Sequence, residues 1–420
     1  MAQPDPRIVV LSTLFPHAAQ PTTGLFIRER MFRVARSMPL TVVAPAPWFP
    51  FQHLLRRWRP HFRPRVPPME TQQGVEIRRP RFLSIPGSCK WLDGFSMAVC
   101  CLPLLVSLKR DLRCNIIDAH FAYPEGYAAA LLGRWLRLPV CITLRGTEVP
   151  LARDPRRRRR MVEALQHATR IFAVSESLKR HVVAMGIDAE KIAVVPNGVD
   201  TATFHRVDRE EARRSLGLRG DAPVLVSVGA LVERKGFHRV MQCLPDLRRR
   251  FPGLRYLIAG GPGPEGDCSA ELRRTVHELD LQQCVQFLGP VSPEALKVPL
   301  SASDVFVLAT RNEGWANVFL EAMACGLPIV TTDVGGNAEV VADEHLGLIV
   351  PFGDQARLTH AIADALTRRW DRDGITAYAE GHSWERRIRI LTDEFAAIAA
   401  RHAAGEQPAR GASATPLPRS

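Results

Sequence analysis

Residues 304–330 read DVFVLATRNEGWANVFLEAMACGLPIV, and this stretch decides the fold. Its apolar opening, Val305 to Leu308, reads as a buried parallel strand. Arg311 to Gly314 form a polar loop. From Trp315 the chain runs without Gly or Pro to Gly326 and Pro328, a helix and its stop. A second apolar strand starts at once. The unit carries Glu313 in its loop and Glu321 in its helix. Eight residues apart along a helix axis, the two carboxylates are expected to lie about 12 Å apart at about 1.5 Å per residue. Between them sits a helix N-terminus, whose backbone N–H groups and dipole favour an anion. A ligand with hydroxyls at both ends and phosphate between them, such as a nucleotide-sugar, fits that spacing. The alternative is a surface helix with two solvated glutamates.

The chain has 420 residues, too many for one ordinary core, which predicts two domains. Its apolar fraction of 46% is that of a globular protein and excludes disorder throughout. The most apolar run, Phe95 to Leu108, is interrupted by Pro103 and bounded by charge, which argues against a transmembrane span. The N-terminal residues enter a strand directly and do not read as a signal peptide. Nine cysteines without a C-x-x-C pair indicate neither a disulfide framework nor a zinc site, and point to a reducing cytoplasm. A net charge of +13 implies an anionic counterpart: a phosphate-bearing substrate, acidic lipid or nucleic acid.

Arg7–Ser12 reads as a strand, followed by a loop to Gly24, a helix from Leu25 to Met38, and a second strand at Thr41–Ala44. This order opens a doubly wound α/β domain, whose ligands bind at strand C-terminal ends. Gly24 either lets the backbone approach a phosphate or makes a plain turn. Residues 45–82 break the pattern and read as an insertion. Trp48, Phe49, Phe51, Leu54, Leu55, Trp58 and Phe62 mix there with Arg56, Arg57, Arg59, His61, Arg63 and Arg65. That composition suits either an anionic membrane contact or a solvated loop. Further strands end at His120, at Arg145-Gly146-Thr147-Glu148, at Ser175 and at Asn197-Gly198. His120, Arg145 and Glu148 on neighbouring strand ends form a candidate cluster. The run Arg156 to Arg160 is a solvated helix face or an anion contact. A second domain starts near Val224, and residues 403–420 are rich in Ala, Pro, Gly and Ser and are expected to be disordered.

The chain carries Thr23-Gly24-Leu25-Phe26, Thr143 to Glu148, Pro196-Asn197-Gly198-Val199-Asp200, Val228-Gly229 through Arg234-Lys235-Gly236, Gly260 to Gly263, and Glu313-Gly314 through Glu321 to Pro328. With these motifs, residues 7–400 resemble the retaining nucleotide-sugar glycosyltransferases of the GT-B fold known as group 1 or family 4. The resemblance implies two Rossmann-like domains facing a central cleft. Residues 1–205 would form the acceptor side, 206–380 would bind the donor, and a helix over 381–402 would cross back to the N-terminal domain. It implies that Glu313 holds hydroxyls of the transferred sugar, Glu321 the ribose, and Arg234 and Lys235 the diphosphate. Gly24, Gly229, Gly314 and the backbone of Trp315, Ala316, Asn317 and Val318 would line the donor site. His120 would sit near the sugar, and Arg145, Glu148 and Asn197 on the acceptor side.

Catalysis would need no metal or cofactor, because cations and N–H groups stabilise the charge developing on the leaving diphosphate. The D-x-D at Asp371-Arg372-Asp373 lies far from these motifs. The resemblance places the enzyme in the cytoplasm, peripheral to the inner membrane face, with a lipid-linked or polysaccharide acceptor. Three departures bear on substrate identity. The glycine pair of the family is reduced to Thr23-Gly24, Arg145 replaces the usual His, and Trp315-Ala316 replaces Phe-Gly. A GT-B epimerase or phosphorylase is the competing enzyme class. A basic membrane- or nucleic-acid-binding protein is the competing non-enzyme, though no nucleic-acid motif is present.

Overall fold

The computed structural model describes residues 5–20, 23–58, 63–218, 220–263 and 265–405. Arg59, His61 and Phe62 of the aromatic-basic segment, and the tail from residue 406 on, lie outside these. The chain divides into two compact units. The first comprises the described part of Met1–Ala173, Val182–Ala193 and the chain from Ile388; the second comprises Val174–His181 and Val194–Arg387. Residues 194–205, placed by sequence in the N-terminal domain, therefore group with the second unit. Val199 bridges to Ser383, and a Cβ on Gly198 would lie 2.7 Å from the backbone of Trp384.

Ten strands build the first half: β1 (Ile8–Leu11), β2 (Leu40–Val43), β3 (Ala46–Trp48), β4 (Met69–Gln72), β5 (Val75–Arg78), β6 (Arg81–Leu83), β7 (Ile116–His120), β8 (Val140–Leu144), β9 (Arg170–Ala173) and β10 (Ile192–Val194). Eight of them form one sheet in the order β10-β9-β8-β7-β1-β2-β5-β4. Pairings from β9 to β5 are parallel, and β4 closes the edge antiparallel to β5. The segment 45–82 is thus not a detachable insertion. β4 and β5 extend the main sheet, and β3 pairs with β6 as a two-stranded ribbon. The bulky alternation of Val75 and Ile77, both buried, is what a sheet edge with one packed face requires.

The second sheet contains β11 (Val224–Val228), β12 (Arg255–Ala259), β13 (Val285–Gly289), β14 (Val305–Leu308), β15 (Ile329–Thr332) and β16 (Gly347–Val350) in the order β13-β12-β11-β14-β15-β16. All its pairings are parallel. Both faces are covered, so its strands are continuous apolar runs rather than alternating ones. Val224, Val226, Phe306 and Leu308 pack into one core layer, and Leu225, Tyr256, Val305 and Val307 into the other. The strand order reverses direction between β11 and β14. At such a switch point adjacent loops part and leave a crevice at the strand carboxyl ends. In the first sheet the same reversal falls between β1 and β7.

Two helices bear on sequence expectation, the first against it and the second with it. The apolar run around Phe95 is part of a longer helix, Asp93–Asp111, which with the preceding turn is long and apolar enough to cross a membrane. Here it lies on the first unit, burying Met97, Ala98, Cys101, Leu105 and Leu108. The last helix, Trp384–Ala403, begins in the second unit and from Ile388 belongs to the first, as the expected return helix does. Phe395 is fully buried and meets the edge of Phe172 with ring centroids 5.7 Å apart, while Arg170 binds Glu394 at 2.6 Å.

Phe395→Ala should therefore destabilise the first unit by about 3–5 kcal/mol, as a buried aromatic truncation does. Urea denaturation followed by near-ultraviolet circular dichroism checks it. A loss under about 1 kcal/mol would mean that the helix contributes little to that core.

Candidate functional site

The reversal between β11 and β14 brings the second unit's candidate residues together. β11 runs into Gly229, then a tight turn at Glu233–Lys235, and then Gly236, whose φ of 76° starts the helix Phe237–Arg250. Gly236 has no alternative, because a Cβ there would lie 1.9 Å from the carbonyl oxygen of Ala309 at the end of β14. The same approach lets the Arg234 carbonyl accept from Arg311 N–H at 2.8 Å and from the Thr310 hydroxyl at 3.1 Å. Two loops are thus fastened by their backbones before any side chain is counted.

One carboxylate oxygen then organises the site. Glu313 Oε1 accepts from Lys235 Nζ at 2.5 Å and Arg234 Nη1 at 3.2 Å. Arg234 Nη1 also donates to the Asn312 carbonyl at 2.8 Å. The outer edge of the same guanidinium grips a carboxylate that sequence reasoning missed. Arg234 Nε and Nη2 meet Glu265 at 2.9 and 2.7 Å, a bidentate pair in which the cation holds Glu265 below the usual carboxylate range. Gly229 lies beside the Lys235 side chain. From behind, Gly335 and Gly336 press on this loop. A Cβ on Gly335 would lie 1.7 Å from the Glu313 carbonyl oxygen, and one on Gly336 2.5 Å from that of Gly314.

The following helix spans Asn317–Ala324, so it starts two residues later than the sequence suggests. Its N-cap is Ala316, without a side-chain capping bond. The helical rise therefore applies only from Asn317, and the spacing of Glu313 from Glu321 is set by the loop, not by 12 Å of helix. Phe319, Leu320, Met323 and Ala324 anchor the buried face, with Phe319 edge-on to Phe306. Glu321 is half-buried. Asn197, expected on the acceptor side, instead belongs to the second unit and donates to Asn317 Oδ1 at 2.9 Å, fixing the start of this helix. The half-buried Trp315 encloses its indole Nε1–H without an acceptor among the described residues. The D-x-D is structural: Asp371 caps the helix Arg372–Glu380, and Asp373 pairs with Arg206.

In the first unit, β7 and β8 place His120 and Arg145 side by side. His120 has no exposed surface; its Nδ1 faces Arg145 Nη2 at 3.0 Å and its Nε2 lies 3.3 Å from Asp118 Oδ2. Burial pulls the imidazole down to about 4, against the pull of Asp118. Of the pair only Arg145 reaches solvent, being 9% exposed and stacked over Phe26. Glu148 is spent on backbone: it accepts from Ala122, Arg145 and Gly146 N–H at 3.0, 3.2 and 2.8 Å. It braces the loops instead of facing an acceptor. Gly24 adopts a left-handed conformation against the Leu14 carbonyl, where a Cβ would fall at 2.3 Å, so its glycine is accounted for by the turn. Sequence reasoning also missed Asp118, Arg30 and Glu125. The buried Arg30 guanidinium interacts with Asp118, and burial lowers it to about 10. Glu125 accepts from Thr13 N–H at 3.0 Å and from its hydroxyl, tying the loop after β7 to the loop after β1. A charged residue inside an apolar strand was the available signal, since burial demands a partner.

The family model described as glycosyl transferases group 1 matches residues 208–382, and that of glycosyltransferase family 4 matches residues 35–203. The chain is 33% identical over 333 residues to a D-inositol 3-phosphate glycosyltransferase of Corynebacterium urealyticum, covering 72% of this chain and 78% of the relative. It is 27% identical over 370 residues to TuaC of Bacillus subtilis, a glycosyltransferase named for teichuronic acid biosynthesis, covering 86% and 88%. Among solved structures it resembles sucrose-phosphate synthase of Thermosynechococcus elongatus (TM-score 0.73, 21% identity, covering 93% and 98%). It also resembles HepE of Anabaena in complex with UDP (TM-score 0.69, 19% identity, covering 93% and 100%).

Glu125 gives this region a pH signature. Burial raises its carboxyl from 4.5 to about 7, so between those values the native state holds a proton that the unfolded chain has released. Stability from this group therefore falls as pH rises from about 4.5 to about 7. His120 acts oppositely: its lowered value removes stability as pH falls from 6.5 to about 4. Glu125→Gln should melt above the wild type at a pH well over 7 and level with it near pH 4.5. Differential scanning fluorimetry across that range checks it, and parallel curves would show that Glu125 is ionised in the native state throughout.

Proposed function

Because the chain belongs to the group 1 glycosyl transferases and has their GT-B fold, we propose that it moves a sugar from a nucleotide-sugar to an acceptor hydroxyl, with retention and without a metal. The observation that carries the donor site is the convergence of Arg234, Lys235 and Glu313 at the β11/β14 reversal. Glu265 and Glu313 hold these cations with carboxylate oxygens, which stand in for diphosphate oxygens. On binding, the diphosphate takes over the Arg234 fork from the exposed Glu265, and Lys235 adds a point charge. The uncapped amides at the start of Asn317–Ala324 receive a phosphate oxygen. The enclosed Trp315 N–H finds its acceptor on the ligand. Glu313 orients hydroxyls of the transferred sugar, and Glu321 those of the ribose. HepE, of the same fold, has been solved with UDP-glucose, in keeping with such a donor.

In the transfer step the bond from the anomeric carbon to the diphosphate oxygen breaks, and its electron pair leaves with the diphosphate. Arg234, Lys235 and the helix amides stabilise that charge where it develops. The acceptor oxygen bonds to the anomeric carbon on the face just vacated, and its proton passes to the leaving phosphate oxygen. No side chain is required as the base, which accords with the buried, neutral His120 acting through Arg145. Arg145 adds a cation suited to an acidic acceptor. An acidic acceptor agrees with relatives named for teichuronic acid and inositol phosphate. We take it to be lipid-linked or a polysaccharide, met at the cytoplasmic membrane face.

Glu313→Gln and Arg234→Ala should each lower kcat/KM by about 10²–10³-fold with the fold retained by circular dichroism, Glu313→Gln at a lowered melting temperature. Near-wild-type rates in both would remove the site assignment. A panel of nucleotide-sugars should raise the melting temperature, since a ligand at about 100 times its Kd adds about 2.7 kcal/mol. Product anomers read by nuclear magnetic resonance should retain configuration, and turnover should survive chelators. Epimerisation without acceptor, or transfer to inorganic phosphate, would reassign the reaction. Glu265→Gln should lower the donor KM by about two- to fivefold, the worth of an exposed ion pair, at little change in kcat. A raised KM would instead make Glu265 a donor contact.

A further inference from the structure

The outward face of the helix Asp93–Asp111 is unlike that of an ordinary surface helix. From Gly94 to Leu108 it carries no charged residue. Its buried residues, Met97, Ala98, Cys101, Leu105 and Leu108, already form a complete inner stripe. The outer stripe should then be polar. It consists instead of Leu92, Phe95, Val99 and Val106, with Phe95 51% and Val99 47% exposed. The helix packs on β6, where Leu83 and the following Ile85 are exposed as well. Parallel pairing of β3 with β6, Trp48 opposite Leu83, brings the exit of β3 alongside. That exit carries the exposed Phe51, Leu54 and Leu55. Such a concentration of large exposed apolar side chains on one part of a fold marks an interaction surface.

Both ends of this stripe are basic. At its N-terminal end Arg156 stacks over Trp91, with the guanidinium carbon 5.5 Å from the ring centre. This contact fastens the start of the helix Pro155–His167, and its arginine run, to the stripe. Of that run and its approach, Arg153, Arg156, Arg158 and Arg159 are exposed and have no carboxylate at ion-pair distance among the described residues. A cavity of about 410 Å³ opens at the same junction, lined by Lys90, Trp91, Asp154, Arg156 and Arg157. At the far end Lys109, Arg110 and Arg113 are exposed, Arg110 paired with Asp111 at 2.7 Å, so the net charge there stays positive.

We propose that this face docks in the plane of an anionic lipid bilayer. In that arrangement the Phe95–Val106 stripe enters the acyl boundary, and the Arg153–Arg159 cluster, with its cavity, receives phosphate headgroups. An apolar stripe without charge between basic ends is the pattern of a helix lying in the interface. The helix does not span the bilayer, because its inner stripe is core of the first unit. A second copy is the poorer occupant. A twofold contact along the stripe would set one basic end against the other, like charge on like. The inference deepens the membrane-face setting proposed above, and it is tested without donor or acceptor, so it stands or falls apart from the transfer reaction.

Flotation of the full chain with phosphatidylcholine vesicles, with and without phosphatidylglycerol, tests it at low and high salt. Binding should require the anionic lipid and weaken with salt. The double variant Phe95→Glu/Val99→Glu should bind about tenfold or more weakly, as expected when two half-buried apolar contacts are lost. Each alanine at Arg158 and Arg159 should cost on the order of fivefold. Both apolar positions face outward, so melting temperatures should be unchanged; if the acidic pair fails to fold, the arginine variants carry the test. Equal binding to neutral and anionic vesicles would overturn the proposal. So would unaltered binding in the variants, absence of binding, or a dimer in light scattering that Phe95→Glu/Val99→Glu dissolves.

Discussion

Glu313 Oε1 lies within hydrogen-bonding reach of two cations that are adjacent in sequence, and the second unit's site depends on that shared oxygen. Arg234 and Lys235 follow one another at the exit of β11, with side chains mostly shielded from water. Two such charges without a counterion would repel and lose hydration. The carboxylate comes from the neighbouring strand's exit, so the ion pair forms only if β11 and β14 are adjacent and parallel. Gly236 and Gly335 let the backbones close to the required distance. Electrostatics, sheet order and glycine placement thus impose one constraint between them. In this arrangement carboxylate oxygens of Glu265 and Glu313 already satisfy both cations.

The first unit solves a related problem differently. Asp118, His120, Arg30 and Arg145 are all buried around the ends of β7 and β8, where the carboxylates of Asp118 and Glu148 oppose the two guanidiniums. Burial drives His120 toward neutrality and lowers Arg145 well below its ordinary range, with Arg30 adding repulsion. A network of this kind holds Arg145 in one place with one side chain in reach of solvent. Glu148 and Glu125 do the backbone work around it, each using carboxylate oxygens on loop amides.

The parts legible in the sequence were those set by short-range pattern. β7 and β8 stand where apolar runs placed them, because strands buried on both faces need no partner information to be recognised. The convergence of Arg234, Lys235 and Glu313 was legible through the resemblance that named them together, and the structure brings their side chains into contact. The helix start was not. Ala316 is extended and without a capping side-chain bond, and the 335–336 loop packs on Glu313 and Gly314 just before it. Glu265 was hidden in a Gly/Pro loop with neither period nor motif, its partner fixed by tertiary approach alone. Arg30 and Asp118 belong to different elements, so no spacing announces their pairing. Residues 45–82 misled because Pro, Arg and aromatics obscure two short edge strands whose register is set by β2.

The terminal helix gives the chain an order of assembly. Arg170 and Glu394 are 224 positions apart, yet both belong to the first unit's core region, with the Phe172–Phe395 contact beside them. At roughly 5–20 residues per second, a ribosome takes on the order of 10–45 s to make the segment between them. Throughout that interval the nascent first unit lacks its closing helix, with the Phe172 surface uncovered, while almost all of the second unit is synthesised in one continuous piece. The protein that begins first is completed last, and its early half is the part for which a chaperone, or a lipid surface, has the longest time to act.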